Sequence, residues 1–547
     1  MHHHSRALYR LLLFVVCLTL LMSSVPTEAY AEEAISTDKI RDIYVPETKI
    51  VNPPTVVQQI DSVEKLSNLS AQIRPQGAWF TLTSDCQVQL SDKTIPLQEA
   101  LTACSGKVIP ILEIPNMNCA NLISTAIKDH YFDLFFASAD PAILKKLMDD
   151  QITHTRLVLI TDEQDPVKVV ETALPSGAMI VAQKKSTRTF CEYLQQRFMS
   201  IMVTPDEDDD ELNVRHAVDC GANFVVMDDF QKAYDMYSAV PEVAYVRRSY
   251  IVGHRGMVSS APDNTVEGLH EAFLAGADAV EIDIWRTKDD RIVCFHNNNL
   301  MGSTTIPPLE PEKLIIDYTY EELQKYTLLP KGDYSFCKIP TLEQMLEALS
   351  EYPGKILVIE IKDYQELAPL VHELLEQYDA FDDCVFISFG SNYLGAQQAV
   401  NPTLGASRLD GGYPVDSPLG CVERYYSLTA GIAASYSPSY NISADAIRQL
   451  HYRGVGVNLW TANTLTLMSE MATKGTQFIT TDLVEDGATI REYYNNMGSE
   501  QIFGPYVSPD QKNAGLAIIS ILPWFFVLPA LAFIAAIIAK IYNTRKK

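Results

Sequence analysis

Between Ile251 and His296 the chain reads IVGHRGMVSSAPDNTVEGLHEAFLAGADAVEIDIWRTKDDRIVCFH. Two histidines (His254 and His296), an arginine (Arg255) and two alternating carboxylates (Glu281 and Asp283) stand at or just past the ends of apolar runs. This is equipment for metal-assisted attack on a phosphate ester. Side chains at i and i+2 of a strand share a face, so Glu281 and Asp283 point the same way. Their neighbours Ala279, Val280, Ile282 and Ile284 mark a buried strand. Two unpaired carboxylates there are costly, and a divalent cation with oxygen ligands removes the cost. Glu360, near the end of the apolar run 356–361, offers a third ligand. Lys362, two residues on, offers a point charge for a phosphate oxygen. Taken alone, Glu360 and Lys362 would equally make a strand-end salt bridge. Arg255 supplies a planar fork for phosphate, and Gly256 beside it permits a sharp turn. Two strand-end histidines near clustered carboxylates suit general acid and base.

Strands must carry these groups. From 248 to 500, short β-branched runs at 250–252, 279–284, 292–295, 356–361, 384–388, 431–434, 454–459 and 477–480 alternate with helical patterns such as 265–275, 341–350 and 364–378. Such alternation predicts parallel strands with crossover helices. About 250 residues and about eight strands fit a closed TIM (β/α)8 barrel. The fold class is therefore α/β, with the chemistry at the C-terminal ends of barrel strands.

The segment 55–245 echoes this pattern. The runs 95–101 and 108–115 resemble 339–346 and 356–362, and 220–228 resembles 474–482, in the same order. Two ordered echoes predict a domain-scale duplication, with a barrel-like first copy lacking the catalytic set. Phe80-Thr81-Leu82 is its best counterpart of Glu281-Ile282-Asp283, and Pro115 stands where Lys362 stands. The acidic run 206–211 lacks the spacing of a calcium loop and reads as a solvated loop.

The 547 residues carry a net charge of -26, which excludes nucleic acid as a partner. Residues 1–31 read as a secretory signal peptide: Arg6 and Arg10, the apolar run 11–22, then Ala29-Tyr30-Ala31. A polar leader, 32–54, follows. The uncharged run 514–539 is long enough to span a bilayer, and the basic tail 540–547 is expected in the cytoplasm. The expectation is a single-pass cell-membrane protein with its ectodomain outside. Of ten cysteines, nine remain after the signal peptide, without CxxC spacing; buried free thiols are expected rather than a zinc site.

HRG, then PDNT, then EID, a histidine after an apolar run and EIK closely resemble the glycerophosphodiester phosphodiesterase family. Trp460-Thr461-Ala462-Asn463 and Thr481-Asp482 resemble its final motifs. The resemblance covers about 248–490. It implies a TIM barrel, a divalent cation (Ca2+ or Mg2+), and hydrolysis of glycerophosphodiesters to glycerol 3-phosphate and an alcohol. By position it implies Glu281, Asp283 and Glu360 as metal ligands and His254 and His296 as the catalytic pair. Arg255 and Lys362 then hold phosphate, and Trp460 lines the pocket, with core packing its alternative role. The chain departs from the pattern at Asn297, where the family has Asp, and at Met301-Gly302-Ser303, where it tends to have Arg. Two other functions fit the same residues: a phospholipase D-like or cyclising lipase acting on membrane lysophospholipids, and a non-catalytic surface binding protein. The sequence leaves the oligomeric state open.

Overall fold

The computed structural model describes residues 41–508 except 105, 128–132, 151–154, 207, 363–365 and 413–416. The signal-like leader and the apolar run 514–539 lie outside the described residues. Among the described residues no helix is long and apolar enough to cross a membrane.

The described chain forms two parallel barrels. Strands Thr55–Gln59, Gly77–Thr81, Ile109–Glu113, Leu134–Ser138, Thr155–Ile160, Ile180–Gln183, Ser200–Val203 and Phe224–Met227 close the first. The second uses Tyr250–Gly253, Ala279–Arg286, Ile356–Ile361, Cys384–Ser388, Ala406–Asp410, Ser435–Pro438, Asn458–Leu459 and Phe478–Thr481. Parallel bridges from Tyr436 to Val457 and from Ser439 to Trp460 join its sixth and seventh strands. Helices cover both barrels, started by side-chain caps that satisfy free N–H groups. Thr265 accepts from Gly268 N before Val266–Leu274, and Thr341 forms a capping box with Gln344.

Two expected strands are corrected. Residues 292–295 do not enter the barrel: Ile292–Cys294 pairs antiparallel with the outer end of the second strand. The run 431–434 gives way to Ser435–Pro438, and Ala406–Asp410, not anticipated, is the fifth strand. All nine described cysteines are unbridged, and eight are buried. The acidic run caps a helix: Asp209 accepts from Glu211 N, and Glu211 pairs with Arg215 at 3.0 Å.

The barrels meet floor to floor, at the N-terminal ends of their strands. In each, the turn between the sixth helix and the seventh strand enters the other barrel. Phe198 of the first barrel packs edge-on against Phe478, the first residue of a second-barrel strand, at 5.3 Å. Tyr452 of the second packs inside the first with Ile180 and Phe224. The two turns share one pattern. Phe198 N and Met199 N donate to Gln195 O and Leu194 O, and Gly454 N and Val455 N donate to His451 O and Leu450 O. Phe198 and Gly454 have φ of 64° and 65°. The preceding arginines also correspond. Arg453 reaches Asp133, just before the fourth strand of the first barrel, at 2.5 Å with both side chains fully buried. Arg197 donates to Asp382 O, just before the fourth strand of the second. A two-fold-like relation thus pairs the floors, as in an isologous interface.

Candidate active site

The second strand of the second barrel presents Glu281 and Asp283, and the third presents Glu360 directly across from Asp283 in the register. All three are buried, and their oxygens lie within 4.8 Å of one another. No other cluster of three or more such groups occurs among the described residues. Two cations face the three carboxylates. Lys362 Nζ lies 2.8 Å from Asp283 and 2.9 Å from Glu360. Arg255 Nε is 3.4 Å from Asp283, and the Arg255 backbone N–H donates to Glu281 at 2.9 Å. Arg255 adopts φ 54°, a left-handed conformation that costs a non-glycine residue and persists only where surroundings enforce it. Gly256, at φ 93°, is obligatory, because a Cβ would lie 2.8 Å from the Gly268 backbone.

The charges do not balance. Burial, then the neighbouring Asp283 and Glu360, push the Glu281 carboxyl well above the carboxylate range. Burial and Asp283 push Glu360 up to about 7. Burial would raise Asp283 as well, but Lys362 and Arg255 hold it below its ordinary value. A further positive charge among these oxygens would relieve the repulsion. An oxygen-only donor set of buried carboxylates fits a hard divalent cation such as Ca2+ or Mg2+.

His254 follows the first strand and His296 follows the antiparallel Ile292–Cys294, and both line one pocket with Arg255, Glu281, Glu360, Lys362 and Trp460. His254 Nδ1 bonds Asp482 Oδ1 at 2.7 Å. Asn463 fixes that carboxylate, donating to Oδ2 at 2.6 Å and accepting from Asp482 N at 2.9 Å. His296 Nδ1 instead meets the neutral Asn297 Oδ1 at 3.0 Å, and Asn297 Nδ2 donates to Ser303 Oγ at 2.9 Å. Burial lowers His296 below its ordinary value. Both departures from the family pattern therefore meet in one hydrogen-bond chain that orients His296 without charge.

All eight residues singled out in the sequence converge here. Trp460 donates from Nε1 to Ser437 O at 2.8 Å and stands edge-on to Phe389 at 5.6 Å, so its indole forms a fixed pocket wall. The cavity, about 640 Å³ counted to its open mouth, descends to Phe198 of the first barrel. Asp482, Asn463, Asn264, Phe389 and Phe198 were not assigned roles from sequence. Asn264, within the PDNT motif, donates to Asp283 Oδ2 and accepts from Asp283 N, both at 2.8 Å. The motifs signalled Asp482, Asn463 and Asn264; nothing local signalled Phe198.

The first barrel's mouth differs, and here one alignment is corrected. Thr81 pairs with Glu113 across the sheet as Asp283 pairs with Glu360. Trp79 and Thr81, not Phe80 and Leu82, therefore occupy the carboxylate positions. Trp79 Nε1 and Thr81 Oγ1 donate to Glu113 at 2.9 and 3.0 Å.

A (β/α)8 barrel with a carboxylate triad, two histidines and two cationic side chains, Arg255 and Lys362, at one mouth has the parts that a phosphoric diester hydrolase needs. Residues 254–486 match the model of the glycerophosphoryl diester phosphodiesterase family, and the second barrel belongs to it. Over 259 residues the chain is 27% identical to a glycerophosphodiester phosphodiesterase of Bacillus altitudinis, covering 44% of this chain and 98% of that protein. Over 138 residues it is 33% identical to a lysophospholipase D of Rattus norvegicus, covering 23% of this chain and 41% of that protein. A solved glycerophosphodiester phosphodiesterase from Parabacteroides distasonis is 26% identical, covering 45% of this chain and 98% of that one, with a TM-score of 0.37. The protein is an enzyme of the glycerophosphodiester phosphodiesterase class.

Proposed function

We propose that the second barrel hydrolyses glycerophosphodiesters to glycerol 3-phosphate and an alcohol with a divalent cation held by Glu281, Asp283 and Glu360. The buried triad beneath two histidines carries this reading. The cation, when bound, neutralises charge on a phosphoryl oxygen. Arg255 and Lys362 hold the other oxygens, so fixed positive groups meet the transition state. His254, backed by the charged Asp482, is suited to carry a proton as imidazolium and give it to the departing alkoxide. His296, backed by the neutral Asn297, is suited to accept the nucleophile's proton. The nucleophile is either water or a substrate hydroxyl closing a cyclic phosphate. Trp460 and Phe389 line the pocket for the glycerol or the leaving group.

The assay is release of glycerol 3-phosphate by the purified chain. Chelation should abolish it, and Ca2+ or Mg2+ should restore it. Full turnover in excess chelator would refute the metal requirement. A second test addresses His296. Asn297→Asp places a negative charge against Nδ1, which stabilises the imidazolium and raises the histidine's pKa. The acidic limb of kcat/KM, where the base becomes protonated, should move to higher pH. An unmoved limb removes His296 as the base.

A lysophospholipase D reading has one specific observation behind it. Leu329 and Phe336, 46% and 63% exposed, lie on the 297–340 segment beside the mouth, and Phe389, 46% exposed, lies at its rim. An apolar rim suits the acyl chain carried by the glycerol that keeps the phosphate when the headgroup alcohol leaves. For the chain as a whole we propose a signal peptide at 1–31, a first barrel derived by duplication that carries no catalysis, and an anchor at 514–539. The ectodomain would then lie at the outer face of the membrane with the tail 540–547 in the cytoplasm.

A further inference from the structure

We infer that the catalytic mouth opens away from the membrane holding the chain, so that the substrate is a water-soluble glycerophosphodiester rather than a lysophospholipid of the anchoring bilayer. The inference rests on the phosphodiesterase reading and on anchoring by the run 514–539.

Three observations carry it. First, the two barrels abut at their floors. The contacts of Phe198 with Phe478 and of Tyr452 with Ile180 and Phe224 involve residues at strand starts. The two mouths therefore open at opposite ends. Second, the catalytic groups all lie at the second mouth: His254 just past Gly253, Asp482 just past Thr481, and Glu360 near the end of its strand. Third, the chain leaves by the other end. Helix Asp210–Cys220 begins just after the seventh strand of the first barrel, at its mouth, and runs back to the floor. The C-terminal segment climbs this helix in reverse. Met497 N donates to Tyr245 O at the junction of the barrels, 2.7 Å. Ser499 N then donates to Asp219 at 2.7 Å. Gly504 O accepts from Arg215 at 2.8 Å, and Tyr506 OH donates to Asp209 at 2.8 Å. From Asp219 to Asp209 is about 15 Å along the helix, directed away from the catalytic barrel.

Distances then decide. The few residues between Ser508 and Ala514 span at most about 20 Å whatever their path. The bilayer therefore lies close to the first barrel's mouth. The catalytic mouth lies beyond two stacked strand layers, each roughly 17–20 Å deep. A lysophospholipid of that bilayer would have to leave it entirely to reach Glu281 and His254. A deacylated diester arrives by diffusion. The apolar rim at Leu329, Phe336 and Phe389 then faces solvent or an opposing surface, not the chain's own membrane.

The test uses the full chain reconstituted in vesicles. Two substrates are compared in three arrangements: glycerophosphocholine in solution, lysophosphatidylcholine in the same vesicles, and the same amount of lysophosphatidylcholine in protein-free vesicles. Steady turnover of glycerophosphocholine is expected, within about 2-fold of the rate in detergent. No advantage is expected for lysolipid sharing the enzyme's bilayer. Faster release from the shared bilayer than from separate vesicles would overturn the orientation. Failure of the protein to float with vesicles would overturn the anchor instead, and loss of turnover on every substrate would overturn the phosphodiesterase reading. An independent geometric check places a donor dye at Leu329→Cys or Asp229→Cys and an acceptor in the lipid. Strong transfer only from Asp229→Cys is expected, and strong transfer from Leu329→Cys would overturn the proposal.

Discussion

Replacing His254 by Ala is expected to lower turnover about 10²- to 10⁴-fold, with little change in melting temperature. The imidazole is half-buried at the pocket wall, and its one strong partner is Asp482 at 2.7 Å. That contact fixes Nδ1 toward the carboxylate and leaves Nε2 for the substrate. Asp482 is itself held from two sides by Asn463, so it works through His254. Asp482→Asn should therefore lower turnover in the same direction, and the double variant should be no worse than His254→Ala alone, as for residues acting as a unit. Steady-state kinetics of the three variants on a soluble glycerophosphodiester decide the matter. A near-normal rate for His254→Ala, or losses that multiply in the double variant, would remove the pair from the mechanism.

Replacing Asp133 by Ala should destabilise the whole protein by about 3–5 kcal/mol, the usual cost of removing one partner of a buried ion pair. Asp133 is fully buried and serves several donors. Arg453 reaches it at 2.5 Å, the Arg41 backbone N–H at 3.1 Å and Tyr426 OH at 3.1 Å. Removing it leaves the fully buried guanidinium of Arg453 between the two barrels without its counter-charge. Burial would raise the Asp133 carboxyl, but Arg453 and Arg41 hold it below its ordinary value. A depressed carboxylate stabilises above its unfolded-state pKa and stops doing so as pH falls through the folded value. The difference between wild type and Asp133→Ala should thus persist at neutral pH and shrink only below the ordinary carboxylate range. Urea unfolding at several pH values reads both effects. A loss under 1 kcal/mol at neutral pH would show that the barrels do not depend on this contact.

The sequence exposed most of the site because its chemistry sits where strand patterns end. Glu281, Asp283 and Glu360 interrupt apolar runs, and a carboxylate in such a run must have a reason. The fifth strand, Ala406–Asp410, escaped because Ala-Ser-Arg-Leu-Asp lacks the β-branched signature. Residues 292–295 have that signature but pair on the outside, which composition alone does not distinguish. At Trp79 and Thr81 the local alternation was ambiguous. A one-residue register shift exchanges the faces of a strand, and only the pairing of Thr81 with Glu113 resolves which side chains point inward. Asp482 lies 228 residues from His254, so its role appears only when the first and eighth strands close. Phe198 belongs to the other barrel, and no pattern near it speaks of a pocket.

The reciprocal floors also set an order on synthesis. Asp133 and Arg453 are 320 residues apart, and Tyr452, which fills the floor of the first barrel, is made just before Arg453. At about 5–20 residues per second, the first barrel, whose last strand ends at Met227, is made roughly 11–45 s before Tyr452, which plugs it. During that interval the floor of the first barrel lacks Tyr452, and Asp133 lacks the Arg453 guanidinium. A nascent chain of this length is the form of the protein most in need of a chaperone, and a ribosome pause before Tyr452 would lengthen that exposure.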